Sequence, residues 1–153
     1  EELADLVGAT QQAADLADKY GKKLVMGPGF KLMSEHWDDY PLMAAYADVW
    51  ILQSQRLQVN PPGQTYREEV KKVIDQIRSG NPDVEIWVQI SVTPGPTTLS
   101  VEEWLAYRES IVDLVDGVYV FDVRDPNRPD TLEAIFDAVC GTPASSGEGD
   151  NEP

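Results

Sequence analysis

Between Glu85 and Thr93, side chains alternate with a period of two. Ile86, Val88, Ile90 and Val92 fall on one face and Trp87, Gln89 and Ser91 on the other, which predicts a β-strand within VEIWVQISVT. Upstream, Tyr66, Val70, Val73, Ile74 and Ile77 recur at three-and-four spacing. They predict an amphipathic helix through YREEVKKVIDQIRSG that Gly80 ends. The two periods alternate along the whole chain. Leu3, Leu6, Val7, Ala13, Leu16, Ala17 and Tyr20 form the stripe of an opening helix, with Gly21 as a left-handed cap. KKLVMGPGF supplies a short strand, whose exit at Gly27-Pro28-Gly29 sustains neither helix nor ladder. FKLMSEHWDDY reads as a polar-aromatic loop, and PLMAAYA as a short helix with Pro41 at its first position. A second strand lies in DVWILQSQ, followed by a loop at Asn60-Pro61-Pro62-Gly63. After Pro94-Gly95-Pro96, Ser100 and Glu103 form a capping box for an amphipathic helix through WLAYRESIVDLV. Asp116-Gly117 leads into a fourth strand, VYVFDV. Asp130 or Thr131 then caps TLEAIFDAV, with Leu132, Ile135, Phe136 and Val139 facing inward.

Helices alternating with strands imply parallel strands joined by right-handed crossovers. The central strands of a doubly wound sheet are apolar on both faces. Here Gln53 and Gln55 follow Val49 and Ile51 at the same period, and Gln89 and Ser91 follow Trp87. A (β/α) barrel accounts for this mixture, because its inner strand face carries polar groups towards the carboxyl end. The predicted fold is α/β: four parallel strands alternating with helices, half of a TIM-like (β/α) barrel. Residues 1–141 form a single (β/α)4 unit, and residues 142–153, which carry no large apolar side chain, form a flexible acidic tail. The alternative is an open flavodoxin-like sheet. GPGFKLM lacks the GxGxxG spacing and does not run at once into a helix, so no nucleotide site is expected. Four strands do not close a barrel of eight. The expected partner is therefore a second copy, as a homodimer, or a missing N-terminal half. Glu1 and Glu2 open the chain inside a helical pattern without an initiator methionine, as in a piece of something longer.

A length of 153 residues suits one domain. The formal charge of −15, from 12 basic and 27 acidic residues, repels phosphate backbones and sets aside nucleic acid and anionic membrane surfaces. No stretch approaches the roughly 20 apolar residues of a membrane span, and no basic-then-apolar leader is present. A soluble chain is expected, with secretion one option for its compartment. Cys140 is the only cysteine and His36 the only histidine, so neither an internal disulfide nor a Cys/His zinc set is available. His36 lies among carboxylates in SEHWDD, a setting for an acid, a base or a ligand. Its spacing fits no recognised metal signature, and no metal or cofactor is expected.

The run from KKLVMGPGF through YADVWILQSQ and VEIWVQISVTPG to DGVYVFD, Lys22 to Asp125, resembles in layout the second half of a glycoside-hydrolase-like TIM barrel. In retaining members the resemblance implies a glutamate nucleophile at the end of strand seven. With these strands taken as five to eight, that position falls near Gln89, Ser91 or Thr93, none of which is a carboxylate. Glycoside hydrolysis usually uses two carboxyl groups, which turns attention to Glu35 after strand one and Asp122 at the end of strand four, with Asp38 and Asp125 in reserve. The plainer alternative is that Asp122 pairs with Arg124 or Arg56 and Glu35 is solvated. Trp37 and Trp87 are placed to stack on a sugar of an oligosaccharide ligand, whereas Trp104 fits the core and Trp50 is left evenly between packing and platform. Gln53, Gln55, Arg56, Gln89 and Ser91 would orient the substrate, although the amides could equally satisfy one another across strands as a structural layer. The rival to an enzyme is a noncatalytic structural or interaction module that assembles with a second half-barrel.

Overall fold

A computed structural model describes residues 5–96, 98–121 and 130–141. Its four strands are β1 (Val25–Met26), β2 (Val49–Gln53), β3 (Glu85–Ser91) and β4 (Gly117–Phe121), and they form one parallel sheet in the order β1-β2-β3-β4. The helices are α1 (Leu6–Lys19), α2 (Phe30–Glu35), α3 (Tyr40–Ala44), α4 (Gln64–Arg78), α5 (Val101–Glu109) and α6 (Asp130–Cys140), with 3-10 turns at Trp37–Asp39 and Leu57–Val59. The chain is thus α/β, with parallel strands separated by helices. The sequential order, with β1 at an edge, is consistent with a barrel segment. A flavodoxin-like sheet places its first strand inside.

The pleat sends alternate side chains to opposite faces. Trp50 and Leu52 of β2 and Ile86, Val88 and Ile90 of β3 are buried on one face. Against them pack Tyr40, Met43 and Ala44 of α3, the predicted α4 stripe from Tyr66 to Ile77, and Trp104 and Tyr107 of α5. The Tyr40 ring lies 5.1 Å from that of Trp50, and the Tyr66 and Tyr107 rings meet edge-on at 4.8 Å. α1 lies against α3 and α6 against α5.

The opposite face carries Val25, Val49, Ile51 and Gln53 beside Glu85, Trp87 and Gln89 and then Gly117, Tyr119 and Phe121. This face is mostly apolar, with its amides at the carboxyl end.

Local signals account for the element ends. Gly21, at φ +59°, completes a Schellman cap in which Lys22 N donates to Ala17 O and Gly21 N to Asp18 O. Ser100 and Glu103 form the expected capping box. At the amino ends of the strands, Asp48 accepts from Leu24 N and Asp116 from Ile86 N, both at 2.7 Å.

Several expectations need correction. FKLMSEHWDDY is α2 and a 3-10 turn rather than a loop, because Phe30, Leu32 and Met33 find the core on one side of a helical turn. The fifth helix ends at Glu109 instead of running to Val115. Strand two stops at Gln53, so Gln55 is a turn residue. Of the opening stripe, Leu6 and Val7 pack inward but Leu16 and Tyr20 are exposed, since α1 has a neighbour on one side only. Phe136 and Val139 of α6 are exposed for the same reason, whereas Ile135 is fully buried.

Candidate functional site

Parallel strands bring Gln53, Gln89 and Tyr119 into one row across β2, β3 and β4, with Ser91 and Phe121 in the next row and Ile51, Trp87 and Gly117 in the row below. The two amides have different surroundings. Gln53 Nε2 donates to Gly27 O at 2.9 Å, which ties β2 to the turn leaving β1. Gln89 is 8% exposed, and among the described residues its amide has no hydrogen-bond partner. Among the described residues the two amides do not bond each other across the strands.

Below the row, Trp87 Nε1 donates to Glu85 Oε1 at 2.7 Å, and Lys23 Nζ lies 3.4 Å from Glu85 Oε2. The indole crosses β4 above Gly117, where a Cβ would come within 2.7 Å of the ring. Glycine at this position is what lets the ring lie on the sheet. Beyond β2, the exposed Arg56 guanidinium sits 5.2 Å from the Phe30 ring centroid, and Gln55 is half-buried in the turn.

The carboxyl ends of β2 and β3 are locked by a buried polar set that sequence reasoning passed over. The Gln58 amide imitates a neighbouring strand: Nε2 donates to Ser91 O at 3.0 Å and Oε1 accepts from Ser91 N at 2.9 Å. Ser54 Oγ donates to Gln89 O at 2.8 Å and so accepts from the Tyr66 hydroxyl at 2.9 Å. The Tyr107 hydroxyl lies 2.9 and 2.8 Å from the carbonyl oxygens of Gln58 and Asn60. Ser91 Oγ accepts from Thr93 N. Burial pushes the Tyr66 phenol well above its ordinary range, only partly opposed by the Ser54 bond, and burial likewise raises Tyr40 and Tyr107. The one available signal for Gln58 was an amide between two aliphatic residues, Leu57 and Val59.

The remaining candidates stand elsewhere. Glu35 ends α2 as an exposed side chain 3.8 Å from Lys31, and no described hydrogen bond joins it to the amide row. Trp37 faces the helix layer. Lys72 Nζ lies 5.7 Å from its ring centroid, Gln76 donates to its carbonyl, and it lines a groove of about 480 Å³ with Lys71 and Asp75 on the outer side of α4. The sheet separates it from Trp87. His36 Nδ1 is 3.0 Å from Asp39 Oδ2 within one turn. Asp122, Asp125 and Arg124 lie outside the described residues. Among the described residues, no group of three or more His, Cys, Asp and Glu side chains could hold a metal ion, and no helix is long and apolar enough to cross a membrane.

Comparison of the chain with protein-family models, curated proteins and solved structures returns no match. Chemical meaning therefore rests on the geometry. Trp87, Gln53, Gln89 and Ser91 share one sheet face, with Gln55 and Arg56 in the turn that follows β2. These groups can stack and can give or accept hydrogen bonds. The only carboxylate among the described strand residues of that face is Glu85, already engaged by Trp87 and Lys23.

Proposed function

We propose that this chain is a noncatalytic interaction module, a (β/α)4 unit whose open sheet face and edge strands are completed by a second four-stranded unit. The supporting observation is the partly exposed apolar surface of Val25, Val49, Ile51, Trp87, Tyr119 and Phe121, in which Val25 is 52% and Tyr119 50% exposed and the other four are half-buried among the described residues. The opposite face of the same sheet is sealed by helices. The inside of a (β/α) barrel is a packed core rather than a pore, and a contiguous exposed apolar patch marks an interaction surface. Sedimentation combined with binding of a hydrophobic dye tests this. The chain should either assemble or, as a monomer, bind the dye. A folded monomer that binds none ends the proposal.

The Gln89 amide, which has no hydrogen-bond partner among the described residues, favours a second reading, an oligosaccharide held at the carboxyl end of the sheet. Trp87 would stack on sugar C–H groups, while Gln53 and Gln89, with Arg56 and Gln55 behind them, would meet hydroxyls and the buried Ser91 would hold the end of β3 beneath them. Hydrolysis by Glu35 and Asp122 is the enzymatic extension of this reading. A thermal-shift panel of oligosaccharides tests the binding, and absence of any shift counts against it. Loss of turnover without loss of affinity in Asp122→Asn tests the hydrolysis.

A further inference from the structure

We propose that the second unit is another copy of this chain, joined edge to edge about a two-fold axis parallel to the strands. This rests on the interaction-module reading above. β4 of each copy then lies beside β1 of the other, and four strands from each close into eight.

The two edges are complementary in shape. Along the β1 edge, Leu16 and Tyr20 of α1 and Val25 of β1 protrude, with Tyr20 65% exposed. Along the β4 edge runs a groove of about 340 Å³ lined by Trp87, Val112, Val118 and Val139, with Arg108 and Asp116 beside them. Phe136 and Val139 of α6, 53% and 41% exposed, flank this edge. Both α1 and α6 run antiparallel to the strands they flank, so both end at the amino-terminal end of the sheet. Tyr20 of one copy and Val139 of the other therefore meet at the same height. Edge strands carry unpaired backbone donors and acceptors, and pairing β4 with β1 of the other copy satisfies both sets at once.

Charge identifies the occupant. Lys19 and Lys22 lie where α1 passes into β1, beside Lys23, which Glu85 already engages, in a chain with only 12 basic residues and a net charge of −15. This edge calls for an acidic partner. The α6 flank supplies one: Glu133 and Asp137 are exposed on a helix without basic residues. The two-fold uses each edge once per copy, so the assembly closes at two chains instead of growing.

Cys140 makes the geometry testable. It is exposed at the end of α6, which places it beside α1 of the other copy and across the barrel from the other Cys140. In sedimentation, the full chain should behave as a dimer. Under mild oxidation Tyr20→Cys should cross-link two copies, whereas the unaltered chain and the double variant Tyr20→Cys/Cys140→Ser should not. Tyr20→Glu, at a position exposed in the single copy, should raise the dimer dissociation constant roughly tenfold or more. A dimer that Tyr20→Cys fails to cross-link, or an unaltered chain that cross-links through Cys140, overturns the edge pairing. A monomer at all concentrations also overturns it. If that monomer binds a hydrophobic dye, the module reading survives with a different partner, and if it binds none, both fail.

Discussion

The side-chain amide of Gln58 pairs with the backbone of Ser91 through two hydrogen bonds, 3.0 Å from Nε2 to the carbonyl oxygen and 2.9 Å from the amide nitrogen to Oε1. Both residues are buried. The pair extends β2 by one side chain after its backbone has turned away, so the end of β3 keeps a partner. Gln58→Ala leaves a buried donor and a buried acceptor unmet, and denaturant titration should show a loss of about 2 to 4 kcal/mol for the two groups. Gln58→Glu retains the acceptor but, when ionised, has no proton to offer Ser91 O. Its deficit should shrink as the pH falls and the new carboxyl group protonates.

Gly80 ends α4 as the helical period implies, but for a different reason. Its φ is not positive, unlike that of Gly21. A Cβ there would come within 1.8 Å of the carbonyl oxygen of Pro41, so Gly80 permits close approach of α4 to α3. Backbone cannot rotate out of the way as a side chain can. Gly80→Ala should cost about 1 to 3 kcal/mol through forced separation of the two helices. Gly21→Ala should cost about 1 to 2 kcal/mol through backbone strain alone. Chemical denaturation of both variants checks the magnitudes, and a crystal structure of Gly80→Ala should show α3 displaced.

What was legible in the sequence follows from range. Capping at Ser100, the turn at Gly21 and the α4 stripe are written within a few residues of where they act. The same holds for the α/β alternation. Periodicity assigns apolar residues to a side of a helix but does not say whether another element waits there. Leu16 and Phe136 were therefore expected inside and are exposed, each on the last helix of its edge. Trp37 and Gln58 depended on partners tens of residues away, Gln76 and Ser91, which no local pattern encodes. Gln53 and Gln89 were found because strand period and register together determine a row.

Alkali should destabilise the fold through its tyrosines. Burial holds Tyr66, Tyr40 and Tyr107 protonated beyond the range in which an unfolded tyrosine ionises. The folded state therefore binds more protons than the unfolded one above about pH 10, and stability falls as pH rises from there. Denaturant midpoints measured between pH 9 and 11 should decline. Tyr66→Phe should make that decline shallower while lowering stability at neutral pH, because the bond to Ser54 is lost.

Acid acts through Arg67 and Asp113. The guanidinium bonds to both carboxylate oxygens and holds the Asp113 pKa below its ordinary value. The stabilisation is fully present above the unfolded carboxylate range and disappears as pH falls through the lowered value. Both groups are solvent-facing, so salt should weaken the effect. Asp113→Asn should flatten the acid limb of the stability profile between about pH 5 and 2 and leave the alkaline limb unchanged.

Gln89→Leu separates the two functional readings, because the side chain that one needs is a burden in the other. Gln89 is nearly buried and, among the described residues, its amide makes no hydrogen bond. Leucine has similar bulk and no polar atoms to desolvate. If the row is only the interior of an assembling barrel, the substitution should be neutral or stabilise by about 1 kcal/mol, and dimer formation should persist. If the row holds an oligosaccharide, stability should behave in the same way but the ligand-induced thermal shift should vanish, since a hydroxyl would lose its partner. Unaltered ligand shifts in Gln89→Leu would remove this residue from any binding site. A marked loss of stability without ligand would show instead that the amide has a structural partner among residues beyond β4.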